Sequence, residues 1–280
     1  MEINKILAEE FKLRQEQVVN TVALIDDGKT IPFIARYRKE LTGSLDDQIL
    51  RELSDRLTYL RNLEIRKSEV SSSIAEQGKL TEEISSALDK AETLVEVEDI
   101  YRPFKPKRKT RASIAREKGL EVLADLIGRQ DDKLDLHNEA QKFINVENGL
   151  ETEEEVIQGA SDIIAENVSD DAELRKSIRK LYEKAAKIES RASDENAETV
   201  YQNYYEFCEP VSKIADHRIL ALDRGEKEGA LKVSVSIDEE FCFSIAERKY
   251  VINNTDSGNI VKAAVQDSCK RLIMPSVERE

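Results

Sequence analysis

Leu45, Ile49, Leu53, Leu57, Leu60, Leu63, Val70 and Ile74 recur at intervals of three, four or seven, with no glycine or proline among residues 45–77. A stripe of this period is buried only when the segment is one long α-helix laid against partners, because an extended strand would scatter the same residues over both faces. Ser44 is read as the residue that starts it, with Asp46 and Asp47 placed to suit the helix dipole. Gly78 is read as its end. Thr81, Glu82 and Glu83 then open a second helix, with the stripe Ile84, Leu88, Ala91 and Leu94. A coiled-coil seam would use the same spacing. Two helices joined by a short turn are more often an antiparallel hairpin inside a bundle.

The remainder carries the same signature. Ten glycines, five prolines and no tryptophan in 280 residues, with 36% charged side chains, describe a soluble helical chain of one or two domains. Residues 1–40 read as three short helices, helix-turn-helix-like. Their stripes are Ile3, Ile6, Leu7 and Phe11, then Val18, Val19, Val22, Leu24 and Ile25, then a piece over 31–38 capped by Thr30. In that piece Arg36, Arg38 and Lys39 are placed either to face a nucleic-acid groove or to cap helix ends. Further helices are predicted over 112–118, 120–127, 136–144, 152–167, 170–188, 198–207 and 214–224. Thr152 and Ser169 are read as caps. Leu231, Val233, Val235 and Ile237 alternate with polar residues, which predicts a strand. Phe241, Phe243 and Ile245 would be its return strand, and a last helix follows through residues 260–272. The expected fold is therefore mainly α: a helical region over 1–209 and a small α+β segment with a β-hairpin over 210–280.

Little here invites catalysis. Cys208, Cys242 and Cys269 are far apart and lack metal-ligand spacing, so they read as small apolar residues in a reducing compartment. His137 and His217 have no partner motif. The acid runs at 153–155 and 170–171 fall at predicted helix starts, where the dipole accounts for them. No catalytic or metal-ligating residue is assigned, no cofactor is implied and no enzyme activity is expected. No apolar run of membrane length and no secretory signal are present, so a cytoplasmic location is expected.

One segment reverses the charge of the chain. Residues 101–118 hold eight basic side chains against Glu117 alone, a charge of +7 in a chain of −14, which leaves −21 for everything else. Phosphates would be attracted here and repelled elsewhere. The candidate nucleic-acid contacts are Arg102, Lys105, Lys107, Arg108, Lys109 and Arg111. Pro103 and Pro106 favour extended backbone, and Tyr101 and Phe104 set aromatic rings beside the cations, as base stacking requires. The alternative is a basic loop folded against the chain's own acidic helices or docked on an acidic partner.

Three motifs carry a resemblance: Thr30-Ile31-Pro32-Phe33-Ile34-Ala35-Arg36-Tyr37-Arg38-Lys39-Glu40, then Asp99-Ile100-Tyr101-Arg102-Pro103-Phe104-Lys105-Pro106-Lys107-Arg108-Lys109-Thr110-Arg111, and His217-Arg218 through Leu220-Ala221 to Arg224-Gly225-Glu226. In this order they resemble the N-terminal part of the Tex family of bacterial transcription accessory proteins, over nearly the whole chain. The resemblance implies an elongated, largely helical protein that binds nucleic acid and is related to a eukaryotic transcription-elongation factor. It also implies a longer parent with a RuvC-like nuclease-fold domain, helix-hairpin-helix motifs and a C-terminal OB-fold, of which this chain would be a fragment. The implied partners are single-stranded RNA or DNA and the transcription machinery, with no membrane. The competing expectation is a structural or protein-interaction module with no nucleic-acid binding of its own.

Overall fold

A computed structural model of the protein describes residues 2–106, 109–194 and 199–280. The chain divides into two units, Met1–Phe104 and Lys105–Glu280. The first holds α1 (Ile3–Glu10), α2 (Gln15–Asp26), α3 (Ile31–Tyr37), α4 (Lys39–Thr42), α5 (Asp47–Glu76), α6 (Glu82–Lys90) and α7 (Leu94–Tyr101), ending in a tight helical turn, Arg102–Phe104.

The leucine stripe forms the 30-residue α5 and threads three small cores. At its start Leu50 meets Ile34 of α3 and Leu45. In the middle Leu53, Leu57 and Leu60 meet Leu7 of α1 and Val18 and Val22 of α2. Beyond these, Leu63, Val70 and Ile74 meet Leu88 of α6, Ala91 and Val97 of α7. Each buried leucine contributes about 1.5–3 kcal/mol of apolar burial. On the outer rows of α5, Arg56 clasps Glu10, Arg61 clasps Asp26 and Arg66 clasps Glu98, all at 2.6–2.8 Å. These pairs are partly exposed, so each adds at most about 1 kcal/mol and serves chiefly to set which helix lies against which turn.

Two expectations about α5 change. Ser44 does not start it. Gly43 and Ser44 both take left-handed backbone angles, and the Ser44 amide donates to Lys39 O, closing α4. Asp46 is the cap, accepting from the Ile49 amide at 2.9 Å. Nor is the partner of α5 a second long helix. The chain breaks at Ala91, and the short α6 and α7 pack on α5 in turn. The predicted helix after Thr30 is present as α3, although Thr30 makes no side-chain cap bond.

The second unit holds α8 (Arg111–Glu117), α9 (Glu121–Arg129), α10 (Leu136–Gln141), α11 (Glu153–Ser169), α12 (Ala172–Ala185), β1 (Lys187–Ala192), β2 (Glu206–Pro210), α13 (Asp216–Lys227), β3 (Leu231–Ser236), α14 (Glu239–Tyr250), α15 (Asp256–Asp267) and α16 (Met274–Arg279), with a wide π turn, Ser268–Ile273, between the last two. Most of these helices share one core around α11, where Val156, Ala160, Ile163 and Val168 meet Leu120 and Leu123 of the α8–α9 region, Ile178 of α12, Cys242 of α14 and Val265 of α15. Most helix starts carry a side-chain cap. Thr81, Thr93, Thr110, Asp135, Thr152, Asp171, Asp238 and Thr255 each accept a backbone N–H of their own first turn.

The fold is mainly α, with one small antiparallel sheet of order β2-β1-β3. Lys187 stands opposite Pro210 on one side and Ser236 on the other. α13 covers this sheet, and Gly225 lets Leu222 and Tyr201 close on Leu231; a Cβ at Gly225 would lie 2.6 Å from Leu231 Cδ1. The strand predicted at 231–237 is present, but its partner is not residues 241–245. Asp238 caps α14, which buries Cys242, Phe243 and Ala246 on one helical face and leaves Phe241 54% exposed. The partner is β1, in a segment read as the tail of a helix over 170–188. α12 is capped by Asp171 rather than Ser169 and stops at Ala185, because Ala186 turns extended. Residues 199–207 likewise give a short turn, Gln202–Tyr204, and the start of β2 rather than a helix, and Glu198 lies outside the described residues.

Candidate nucleic-acid interface

The basic run 101–118 covers the end of the first unit and the start of the second. At the end of the first, Thr93 caps α7 and the Arg102–Phe104 turn closes it. Tyr101 Oη shares a hydrogen with Ser73 Oγ at 2.9 Å, Gln77 Nε2 donates to Phe104 O at 3.1 Å, and the Arg66 guanidinium lies 5.6 Å from the Tyr101 ring centre. Tyr101 and Phe104 also pack against the core formed by Leu63, Val70 and Ile74. Their rings are therefore committed to holding α7 on α5, not held out as stacking platforms. Arg102 is half-buried beside them.

In the second unit Lys105, Lys109 and Arg111 are exposed, whereas Lys107 and Arg108 lie outside the described residues. Thr110 starts α8 through a capping box: its hydroxyl accepts from the Ser113 amide at 3.0 Å, and Ser113 Oγ accepts from the Thr110 amide at 2.8 Å. The same Thr110 hydroxyl donates to Glu166 Oε1 at 3.0 Å. Glu166 also takes Arg116 Nη1 at 2.6 Å, and Arg116 reaches Asn167 Oδ1 at 2.7 Å. Lys118 Nζ donates to Gly149 O at 2.9 Å. Thus the two cations furthest along the run are spent on the protein itself. Arg111, at the first position of α8, keeps an exposed guanidinium.

An open cleft of about 540 Å³ lies beside α8 and α11, lined by Arg111, Ile114, Lys118, Glu154, Gln158 and Asp162. Burial pushes the Asp162 carboxyl above its ordinary range, against the opposing pull of Arg271 and Arg111. The acid runs have structural duties. Glu155 reaches back to the amides of Glu151 and Thr152, completing a capping box on α11. Asp171 accepts from the amides of Glu173 and Leu174 at the start of α12 and pairs with Lys249 and the Tyr250 hydroxyl. Among the described residues no group of three or more His, Cys, Asp and Glu could hold a metal ion, and no helix is long and apolar enough to cross a membrane. The acid that takes Arg116 was not anticipated. Glu166 carries no sequence signal beyond its position on the largely apolar α11.

Fold and site together define a mainly helical protein whose acidic sequence is interrupted by one basic run. Residues 1–75 match the family model described as Tex-like protein N-terminal domain, and residues 131–271 match the one described as Tex central region-like. The chain belongs to the Tex family. It is 44% identical over 280 residues to the protein YdcI of Bacillus subtilis, covering 98% of this chain and 39% of that one. It is 40% identical over 237 residues to Transcriptional accessory protein Tex of Neisseria gonorrhoeae, covering 84% and 31%. It is 30% identical over 292 residues to the human S1 RNA-binding domain-containing protein 1, covering 99% and 29%. The chain thus spans about a third of the length of these relatives.

Proposed function

We propose that this chain is the helical scaffold of a transcription accessory protein and that it contacts the sugar–phosphate backbone of single-stranded RNA or DNA through Arg102, Lys105, Lys107, Arg108, Lys109 and Arg111. The carrying observation is how the basic run sorts. Arg116 and Lys118 are tied into the second unit, while Lys109 and Arg111 keep exposed charge on a chain that is otherwise strongly acidic. With the nearby aromatic rings packed away, the contact reads charge and not bases, so binding is sequence-independent and salt-sensitive. The names Transcriptional accessory protein Tex and S1 RNA-binding domain-containing protein 1 among the relatives support this reading. The role assigned is binding and bracing in the cytoplasm, within reach of the transcription machinery, and not catalysis.

Fluorescence anisotropy of labelled single-stranded RNA and DNA at 50 and 200 mM salt tests it. Six cations on a single strand give a slope of log K against log salt of about −4. Replacing Lys105, Lys109 and Arg111 by Ala should flatten that slope by about 2. Binding unchanged by the triple substitution would refute the contact and leave the chain a structural or protein-interaction module.

A further inference from the structure

We infer that the corner between α3 and α4 is a separate single-strand contact, one that reads bases by stacking. Phe33 and Tyr37 lie one turn apart on α3, with ring centres 5.3 Å apart. The Arg38 guanidinium sits 5.3 Å from the Phe33 ring centre, and its Nη1 donates to Tyr37 O at 2.9 Å. Arg38 thereby acts at the end of α3, one of the two roles its position allows. The two rings are tilted 45° to each other, and Tyr37 is 60% exposed, so its ring is open to a further flat ring. Spacings of three and four put Phe33, Arg36 and Tyr37 on one side of the helix.

The charges around it are unspent. Arg51, Arg56, Arg61 and Arg66 of the same unit each hold a carboxylate. Arg36 and Lys39 are exposed, and neither they nor Arg38 hold one among the described residues. Residues 31–40 contain three cations and one acid, the exposed Glu40, within a chain of −14. An open aromatic face flanked by cations that hold no carboxylate among the described residues fits a base and its neighbouring phosphates.

The corner is also held rigid. Ile34 is fully buried against Leu45 and Leu50. Gln17 Nε2 donates to Thr42 O at 3.0 Å and Asn20 Nδ2 to Leu41 O at 3.1 Å, pinning α4 to α2. Gly43 makes that approach possible, since a Cβ there would lie 2.3 Å from Gln17 Nε2. A platform already fixed spends little ordering entropy on a ligand.

This surface is independent of the backbone contact at 102–111, and the test separates them. The full chain is titrated with labelled oligodeoxythymidine and with an abasic strand of equal length, which keeps phosphates and lacks bases. Tyr37→Ala should weaken oligodeoxythymidine binding about tenfold, leave the salt slope unchanged and leave abasic binding unaltered. Arg36→Ala with Lys39→Ala should flatten the slope by about 1.4 on both strands. The triple Ala form of Lys105, Lys109 and Arg111 should weaken both strands alike. Tyr37→Ala binding like the parent, or losing equally on both strands, overturns the inference without touching the backbone contact. A Glu-rich peptide that displaces oligodeoxythymidine from this corner as well as a second oligonucleotide does also overturns it, because that marks a protein-docking surface. Far-UV circular dichroism of each variant controls for folding, and the substituted side chains are all exposed.

Discussion

Glu166 is the residue on which the sorting of the basic run depends. Its side chain is 10% exposed and receives both Arg116, whose side chain is 28% exposed, and the Thr110 hydroxyl. Glu166→Gln keeps one oxygen for Thr110 but removes the charge facing Arg116. A hydrogen bond to a charged group contributes about 1.5–3 kcal/mol. Arg116 retains Asn167 and Glu121, so it is not stranded, and a loss of about 2 kcal/mol is expected. In a unit of this size that lowers Tm by about 4–8 °C. Arg116→Met should cost a similar amount, about 2–3 kcal/mol, because a nearly buried carboxylate loses its 2.6 Å ion pair while keeping the Thr110 hydroxyl and the charge of Arg271. The double variant should recover part of this, with a coupling energy of about 1.5–3 kcal/mol. Urea unfolding followed by tyrosine fluorescence is the assay. The chain lacks tryptophan, and Tyr182, Tyr201, Tyr204, Tyr205 and Tyr250 all report on the second unit. A coupling below about 0.5 kcal/mol would refute the argument. So would an Arg116→Met form that loses as much nucleic-acid affinity as the Lys105, Lys109 and Arg111 triple, because Arg116 would then be a ligand contact and not a strut.

Asp46→Ala should cost about 1 kcal/mol in thermal unfolding, whereas Ser44→Ala should cost under about 0.5 kcal/mol, since only Asp46 caps α5. Burial raises the Asp171 carboxyl, but Lys249, Tyr250 and the Leu174 amide overcome it and hold the pKa below the ordinary 3.8. Its stabilisation is present above the unfolded pKa and lost as pH falls through the folded one. Asp171→Asn should therefore melt lower than the parent at pH 7, with the gap closing below pH 3.8, as thermal scans at the two pH values would show. Burial pushes the Cys242 and Cys269 thiols up to about 11 and about 12, while Cys208 is exposed, so a thiol reagent should titrate one cysteine in the native chain and three in denaturant.

The helices of the first unit were legible because their causes are local. A stripe of period 3.6, a Thr or Asp before it and a glycine after it all lie within a few residues of what they determine. Ser44 misled because the competing requirement, closure of α4 by two left-handed residues, leaves no mark that distinguishes it from a cap. The strands failed for the opposite reason. Ile178, Tyr182, Ala185 and Ile188 continue a helical phase, and only pairing with residues 206–210 and 231–236 makes β1 extended. Phe241, Phe243 and Ile245 alternate by coincidence, and Asp238 decides for a helix. The basic run was visible as charge. Which of its members face outward was not, because the acid that withdraws Arg116 is 50 residues away.

The side-chain caps that open most helices have a kinetic meaning. Each is a contact between residues two or three apart, so a helix boundary is decided by a segment that can close on itself as soon as it has left the ribosome. The remaining search is the docking of elements whose lengths are already settled, and the three cores along α5 are built from residues of the same 104-residue unit. That unit can complete its three cores while the strands of the second, paired across tens of residues, are still waiting for one another.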